Sequence, residues 1–228
     1  MNNTFIGVDF SLHSPGVCIK QHKQNTWLAF ESPTKKYSKK ELKILEDLKS
    51  ISDVEVTTLK NKPITDNYLR RDFEALRLYT DNALTIIKKL GWVLGKNSED
   101  ISYNFIFEGF SYSSNTNNLI DIVSATTILK NMVILEFIYS KDTMMTLAPS
   151  TVKKHAGNGR LNKRQLWDVF INNELNDPGL DKSDFYHYCK DYGLTTKSVP
   201  SPLDDLIDAY FVIKAGEATL LNDKQIKN

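Results

Sequence analysis

Four acids stand where carboxylates are costly. Asp9 closes the apolar run Thr4 to Phe10 (TFIGVDF), and Glu108 closes Asn104 to Gly109 (NFIFEG). Asp205 and Asp208, with Asp204 beside them, fall in Ser201 to Ile213 (SPLDDLIDAYFVI), where Ile207, Ala209, Tyr210, Phe211 and Val212 surround Asp208. On a helix, Asp208 shares a face with Asp205 or with Asp204. Ionised carboxylates repel, so a site that gathers them holds cations, and an all-oxygen ligand set suits Mg²⁺ or Mn²⁺ rather than zinc. Two such ions about 4 Å apart can clamp the attacking and leaving oxygens of a phosphodiester. Taken alone, each segment has a plainer reading. Ser201 to Asp205 is also a capped helix start, with Ser201 as N-cap, Pro202 at N1 and acids where the macrodipole favours them. Asp9 is also a turn initiator.

The elements that must position these acids follow from periodicity. Thr4 to Phe10, Val17 to Ile19 and Asn25 to Glu31 read as a three-stranded antiparallel meander joined by tight turns. Ser38 to Ser50 reads as a helix, Val54 to Leu59 as a strand, and Tyr68 to Leu90 as an amphipathic helix whose stripe is Phe73, Leu76, Leu84, Ile87 and Leu90. Leu119 to Tyr139 is a helix in which Leu119, Ile122, Val123, Thr126, Leu129, Val133 and Phe137 face a sheet. Ile120, Ile128, Ile134 and Ile138 make its other faces apolar too, which points to deep burial or a subunit interface. A strand at Thr143 to Leu147, short helices near Ser150 to Ala156 and Leu161 to Asn173, and a polar excursion from Asp177 to Pro200 precede the acidic helix. If the Asp9 and Glu108 strands run parallel as neighbours, their carboxylates meet at one end of a sheet, and the last helix can lay Asp205 and Asp208 across it.

Composition narrows the class. The 228 residues carry 29 basic and 28 acidic side chains, so contact with a polyanion must rest on local clusters, Lys35 to Lys43 and Lys153 to Arg164. Cys18 and Cys189 lack metal spacing and suit a reducing interior, and no run has the ~20 apolar residues of a membrane span. A soluble, cytoplasmic protein is expected. Gly157-Asn158-Gly159 lacks the Lys-Ser/Thr continuation of a P-loop, and nothing resembles a serine triad.

Four blocks carry a resemblance: Ile6 to Ser11 with Gly16 after it; Phe107 to Tyr112; Ala148 to Lys154 followed by Gly157, Gly159 and Lys163; and Asp205 to Ala209. In this order they resemble the RuvC family of Holliday-junction resolvases, bacteriophage branch, within the RNase H-like superfold. The resemblance implies an α/β domain over residues 1–221, a mixed five-stranded sheet of antiparallel meander plus parallel strands flanked by helices, then a polar tail over 222–228. It implies a homodimer through helix 119–139 that grips four-way or branched DNA and makes paired nicks with two Mg²⁺ per site, Mn²⁺ substituting. Asp9, Glu108, Asp205 and Asp208 match the metal ligands. Lys153 and Lys163 match basic residues near the scissile phosphate, with Lys154 as the alternative to Lys153. Lys154, Arg160, Arg164, Phe110 and Tyr112 become candidate DNA contacts. Insertions near 34–64 and 177–200 depart from the family pattern. The competing readings are another RNase H-like nuclease, cutting RNA–DNA hybrids or acting as a transposase, an actin- or sugar-kinase-like ATPase, and a DNA-binding module without catalysis.

Overall fold

Positive φ at both His22 (47°) and Lys23 (68°) makes the two-residue turn that joins β2 (Gly16–Gln21) to β3 (Gln24–Glu31), because a turn of this hand matches the twist of the flanking strands. With β1 (Asn2–Asp9) antiparallel to β2, these strands form the expected meander. The computed structural model describes residues 2–60, 71–95, 101–110, 116–138 and 142–226; the side chains of 2, 71, 116–118 and 223–226 are outside this description.

β5 (Ile101–Glu108) pairs parallel with β1, and β6 (Thr143–Leu147) pairs parallel with β5. Among the described residues the sheet has six strands, not five, in the order β4-β3-β2-β1-β5-β6. The sixth is β4 (Val54–Thr58), which lies in the 34–64 insertion and adds in parallel to the edge of β3. Its neighbour α1 (Lys39–Leu48) starts at a capping box between Ser38 and Glu41 and buries Ile44, Leu45 and Leu48. That insertion extends the sheet.

Two layers cover the sheet. One face carries α2 (Arg71–Leu94) and α3 (Thr116–Phe137) over Ile6, Val8, Val17, Phe105 and Phe107. The buried stripe of α2 is Ala83, Ile86, Ile87, Leu90 and Leu94, whereas Phe73, Leu76 and Leu84 point outward. The stripe read from sequence therefore holds only at Ile87 and Leu90; in the first half of α2, Phe73 and Leu76 turn away from the sheet. On α3, Thr126, Leu129, Val133 and Phe137 are buried as expected, while Ile120, Val123, Ile134 and Leu135 are exposed. Its apolar outer face is uncovered in the single chain.

The other face carries α4 (Pro149–His155), α5 (Lys163–Ile171), α6 (Asp184–Tyr192) and α7 (Leu203–Ile226) around Trp27, Phe170, Phe185 and Tyr210. α7 lies directly on the strands because two glycines admit it. A Cβ at Gly7 would stand 2.2 Å from the Ala209 carbonyl oxygen, and one at Gly16 would stand 2.2 Å from that of Asp205. The helix continues through Ile226, into the stretch read as a polar tail. The 177–200 excursion holds a 3₁₀ turn, Leu180–Lys182, as well as α6. Asp53 ties it to the sheet by accepting from Ser183 Oγ (2.6 Å) and from the Phe185 N–H (2.9 Å). No helix among the described residues is long and apolar enough to cross a membrane.

Candidate active site

Parallel pairing in register, Val8 opposite Phe107, makes Asp9 and Glu108 side-by-side strand ends, and their carboxyls hydrogen-bond. Gly16, opposite Asp9 on β2, is the point where α7 meets the sheet, so the first turns of α7 bring Asp205 and Asp208 to the same end. Four acids from three distant stretches of the chain thus become neighbours through one register and one close approach.

Their electrostatics reflect crowding. Burial raises the Asp9 carboxyl well above the usual range, and Asp208, Glu108 and Asp205 raise it further against the pull of Lys163. Glu108 is pushed up to about 7, by burial and then by Asp208, while its bond to Asp9 and the charges of Lys153 and Lys163 act the other way. Asp205 is also raised to about 7, by burial and then Asp204, against Lys163 and the hydroxyls of Ser201 and Ser14. Asp208 is raised by burial against Lys163, with Asp204 adding to the rise and Lys153 opposing it. Such a set asks for positive charge.

Lys163 supplies some of it. It opens α5 one residue after the Asn162 cap, and its ammonium bonds Asp204 and lies 3.5 Å from Asp208. Burial works against that charge, but Asp204, Asp208 and Asp205 outweigh it and raise the Lys163 pKa. Lys153, in the last turn of α4, is close enough for its charge to lower both Glu108 and Asp208. Lys154 is exposed, so of the two lysines left open by the sequence, Lys153 is the one turned toward the acids.

Other sequence candidates separate. Arg160 is exposed in the loop after α4 and Phe110 is half-buried just past Glu108; Tyr112 lies outside the described residues. Arg164 does not join them. Its guanidinium donates to Asp168 (3.3 Å) and to the carbonyls of Leu194 (2.7 Å) and Thr196 (3.2 Å), fastening α5 to the link before α7. A basic residue in the first turn of a helix reads as a DNA contact in sequence; here an acid at i+4 and a returning loop engage it.

Sequence reasoning missed the hydroxyl support of Asp205. α7 begins at Leu203, and the Pro202 carbonyl accepts its first helical bond from Leu206, so Ser201 is not the N-cap and Pro202 is not N1. Ser201 Oγ instead donates to Asp205 Oδ2 (2.8 Å) and lies 3.1 Å from Ser14 Oγ, which Lys35 Nζ approaches at 3.5 Å. The Ser201-to-Asp205 spacing was the available signal; Ser14, distant in sequence, gave none.

The donors suit a hard divalent cation in kind: all are oxygens, and burial, with the repulsion of neighbouring carboxylates including Asp204, raises every one of the four. They are not a closed cage, since among the described residues no group of three or more His, Cys, Asp or Glu side chains stands ready to hold a metal ion. Lys163, inside the cluster, is the present counter-charge.

No family model matches the chain, and no curated protein matches its sequence. Solved structures do. Thermus thermophilus RuvC is 12% identical over 97% of this chain and 96% of its own, at a TM-score of 0.47. T. thermophilus RuvC in complex with a Holliday junction substrate is 11% identical over 96% and 94%, also at 0.47. The yeast mitochondrial Holliday junction resolvase Ydc2 is 13% identical over 97% of this chain and 82% of its own, at 0.52. The sheet order, the two helical layers and the likeness to Ydc2 together show that this chain has the same fold as that structure, a mixed sheet between two helical layers.

Proposed function

We propose that the chain is a metal-dependent endodeoxyribonuclease that cuts branched DNA, with the four-way junction as its principal substrate. The observation that carries this reading is the convergence of Asp9, Glu108, Asp205 and Asp208 with Lys163 and Lys153 at one end of a sheet of resolvase fold. Asp9, Glu108, Asp205 and Asp208 would hold Mg²⁺ or Mn²⁺, two ions per site. Bound there, the ions supply Lewis-acid activation of water and stabilise charge on the departing 3′ oxygen. The chain's own residues do the rest. Lys153 neutralises a backbone phosphate at the acids' edge, and Lys163 holds Asp204 and Asp208 in place until the substrate enters. Ser201 and Ser14 fix the rotamer of Asp205, and Asp204 is an outer partner whose role is to position Lys163.

Substrate contact draws on Lys154, Arg160 and Phe110, and on the exposed Lys36, Lys39, Lys40 and Lys43 of the first insertion, each phosphate contact adding to the salt dependence of binding. Paired nicking requires two sites. The exposed apolar face of α3, with Ile120, Val123, Ile134 and Leu135, fits a second copy of the chain. Leu135→Glu, 84% exposed in the single chain, is expected to leave the fold intact and to turn a dimer into a monomer by light scattering. A wild-type monomer would remove the dimer from the proposal.

A panel of labelled four-way junctions, flaps, linear duplexes and RNA–DNA hybrids, with Mg²⁺ and an Asp9→Asn control, tests the function. Junction cleavage that the control lacks is expected. Preferential hybrid cleavage would replace the resolvase reading with that of an RNase H-type enzyme.

A further inference from the structure

The chain leaves Asp9 through Phe10 and Ser11, and these residues form one wall of a cavity of 210 Å³. The facing wall comes from the first half of α2 and from α3, through Ala75, Tyr79, Asn82 and Asp121. Its lining includes residues just beyond the ends of β1, β3 and β4, so the cavity opens at the sheet end that carries the acids. None of the acids proposed for catalysis lines it.

Its chemistry is that of a planar heterocycle's socket. The volume is below the ~300–1,000 Å³ typical of pockets for drug-sized ligands, and it suits one ring system. Phe10 and Tyr79 offer aromatic surface, over which any base can lie. The polar groups are held in place. The Tyr79 hydroxyl donates to Asp121, whose carboxylate keeps further acceptor capacity. The Lys60 N–H donates to the Asn82 carbonyl at 2.8 Å, which leaves Nδ2 as a donor. Lys60, His13 and the hydroxyls of Ser11, Ser32 and Thr34 also border it, but a phosphate held there would share the space with the Asp121 carboxylate and the apolar walls, and a cation would find one acid already hydrogen-bonded. A base edge meets one acceptor and one donor.

We propose that this cavity takes an unstacked nucleobase flanking the scissile phosphate, and that Asp121 and Asn82 favour a base with an exocyclic amino group. This rests on the DNA-cleaving reading above. A branched substrate presents bases beside the branch point that are less costly to unstack than those of a continuous duplex. The cavity gives the enzyme a sequence preference at one nucleotide, separate from recognition of branch shape.

Photo-cross-linking tests it. Four-way junctions carrying 5-iodocytosine at successive positions around the branch point are bound to the Asp9→Asn protein, irradiated, and the linked peptide mapped. One position should link to Phe10 or to the α2 peptide holding Tyr79. Filling the cavity with Ala75→Phe should lower that yield about tenfold while junction affinity by gel shift changes less than about threefold. In the otherwise wild-type protein, Asp121→Ala should flatten the base distribution at one position among products cut from a junction library randomised around the branch point. Binding without a cross-link at these peptides, a yield unchanged by Ala75→Phe, or a base distribution unchanged by Asp121→Ala overturns the cavity assignment alone. Failure to bind any branched DNA overturns the nuclease reading and this inference with it.

Discussion

Two groups of buried charge lie on the same side of the sheet, and they are built on opposite terms. Asp177, 2% exposed, accepts from Lys20 (3.2 Å), Lys214 (3.3 Å), the Tyr210 hydroxyl (3.2 Å) and the Gly179 N–H (2.9 Å). Burial alone would raise its pKa, but the Gly179 N–H, Lys20 and Lys214 more than reverse that, and the carboxyl sits below its usual range. Glu217 completes the group at 3.1 Å from Lys20 and 3.3 Å from Lys214. At the other group, four acids share Lys163 and the reach of Lys153, and all four are raised. A buried acid kept for structure has its partners in place; these four lack enough positive charge. The difference separates an acid that holds the fold together from the acids proposed above as metal ligands.

Substitution should split the groups cleanly. Asp208→Asn is expected to reduce Mg²⁺-dependent junction cleavage by about 10³-fold or more, since on the proposed function it removes a metal ligand and not a packing group. Its melting temperature should be unchanged or higher, because a like charge leaves a crowded site. Asp177→Asn should instead cost about 3 kcal/mol of stability by leaving two lysines short of their partner, with cleavage by the folded fraction near normal. Denaturant melts beside single-turnover cleavage read both. If Asp208→Asn destabilises as much as Asp177→Asn, the contrast collapses.

Gly16→Ala attacks the geometry that creates the crowded group. A Cβ there meets the Asp205 carbonyl oxygen at 2.2 Å, so the first turn of α7 must lift from β2. The expected cost is about 1–3 kcal/mol from overpacking. Displacing Asp205 by a fraction of an ångström to an ångström should lower cleavage up to about 10²-fold. Gly95→Ala is a control for glycine loss away from the site: it is also a strained position, at φ 71°, but nothing lies within 4 Å of the added carbon. Equal loss of activity in the two would show that the approach of α7 to Gly16 is not what matters.

The comparison also gives opposite pH dependences. Glu108 and Asp205 keep protons in the folded chain up to about pH 7, whereas unfolded carboxyls release theirs near ~4. Between those values the folded chain holds more protons, so stability from this group falls as pH rises and is flat above about 7. Asp177, with its lowered pKa, contributes above the unfolded value and loses that contribution as pH falls through its folded one. Metal-free protein should therefore melt higher at pH ~5.5 than at pH ~8, and Mg²⁺ should restore stability mainly at the higher pH. In Glu108→Gln with Asp205→Asn the slope should flatten. A metal-free melting temperature that climbs over this interval would contradict the raised acids.

How far sequence alone reaches follows the same physics. Asp9 and Glu108 were legible because an acid ending an apolar run is locally anomalous, and Asp208 because hydrophobic residues surround it. Asp205 was separable from Asp204 only through the family pattern; the structure adds that Asp204 holds Lys163. The meander and β6 were legible from short-range patterns and turns. What failed depends on distant partners. Neither the pairing of β4 with β3 nor the outward turn of Phe73 and Leu76 is encoded in a local period. Arg164 looked like a DNA contact until the carbonyls of Leu194 and Thr196 came round to meet it. The Asp177 group was invisible for the same reason: its lysines lie far away in sequence, at 20 and 214.

The smallest expected effect concerns the hydroxyl pair that the sequence hid. Ser201 Oγ donates to Asp205 from within 2.8 Å, and Ser14 lies behind it, linking Asp205 to Lys35. These bonds favour the ionised Asp205, opposing the burial that raises it. Ser201→Ala should push the Asp205 pKa higher still and cost about 1 kcal/mol at alkaline pH, where the carboxylate must remain charged. At pH ~5.5, with Asp205 protonated, the same substitution should cost less, so its penalty should grow with pH. Cleavage should fall no more than about tenfold, and raised Mg²⁺ should recover it, because the ligand is retained and only its orientation is loosened. A loss that Mg²⁺ does not recover would place Ser201 among the groups that touch the substrate, and would extend the under-charged group from four acids to the hydroxyls that hold them.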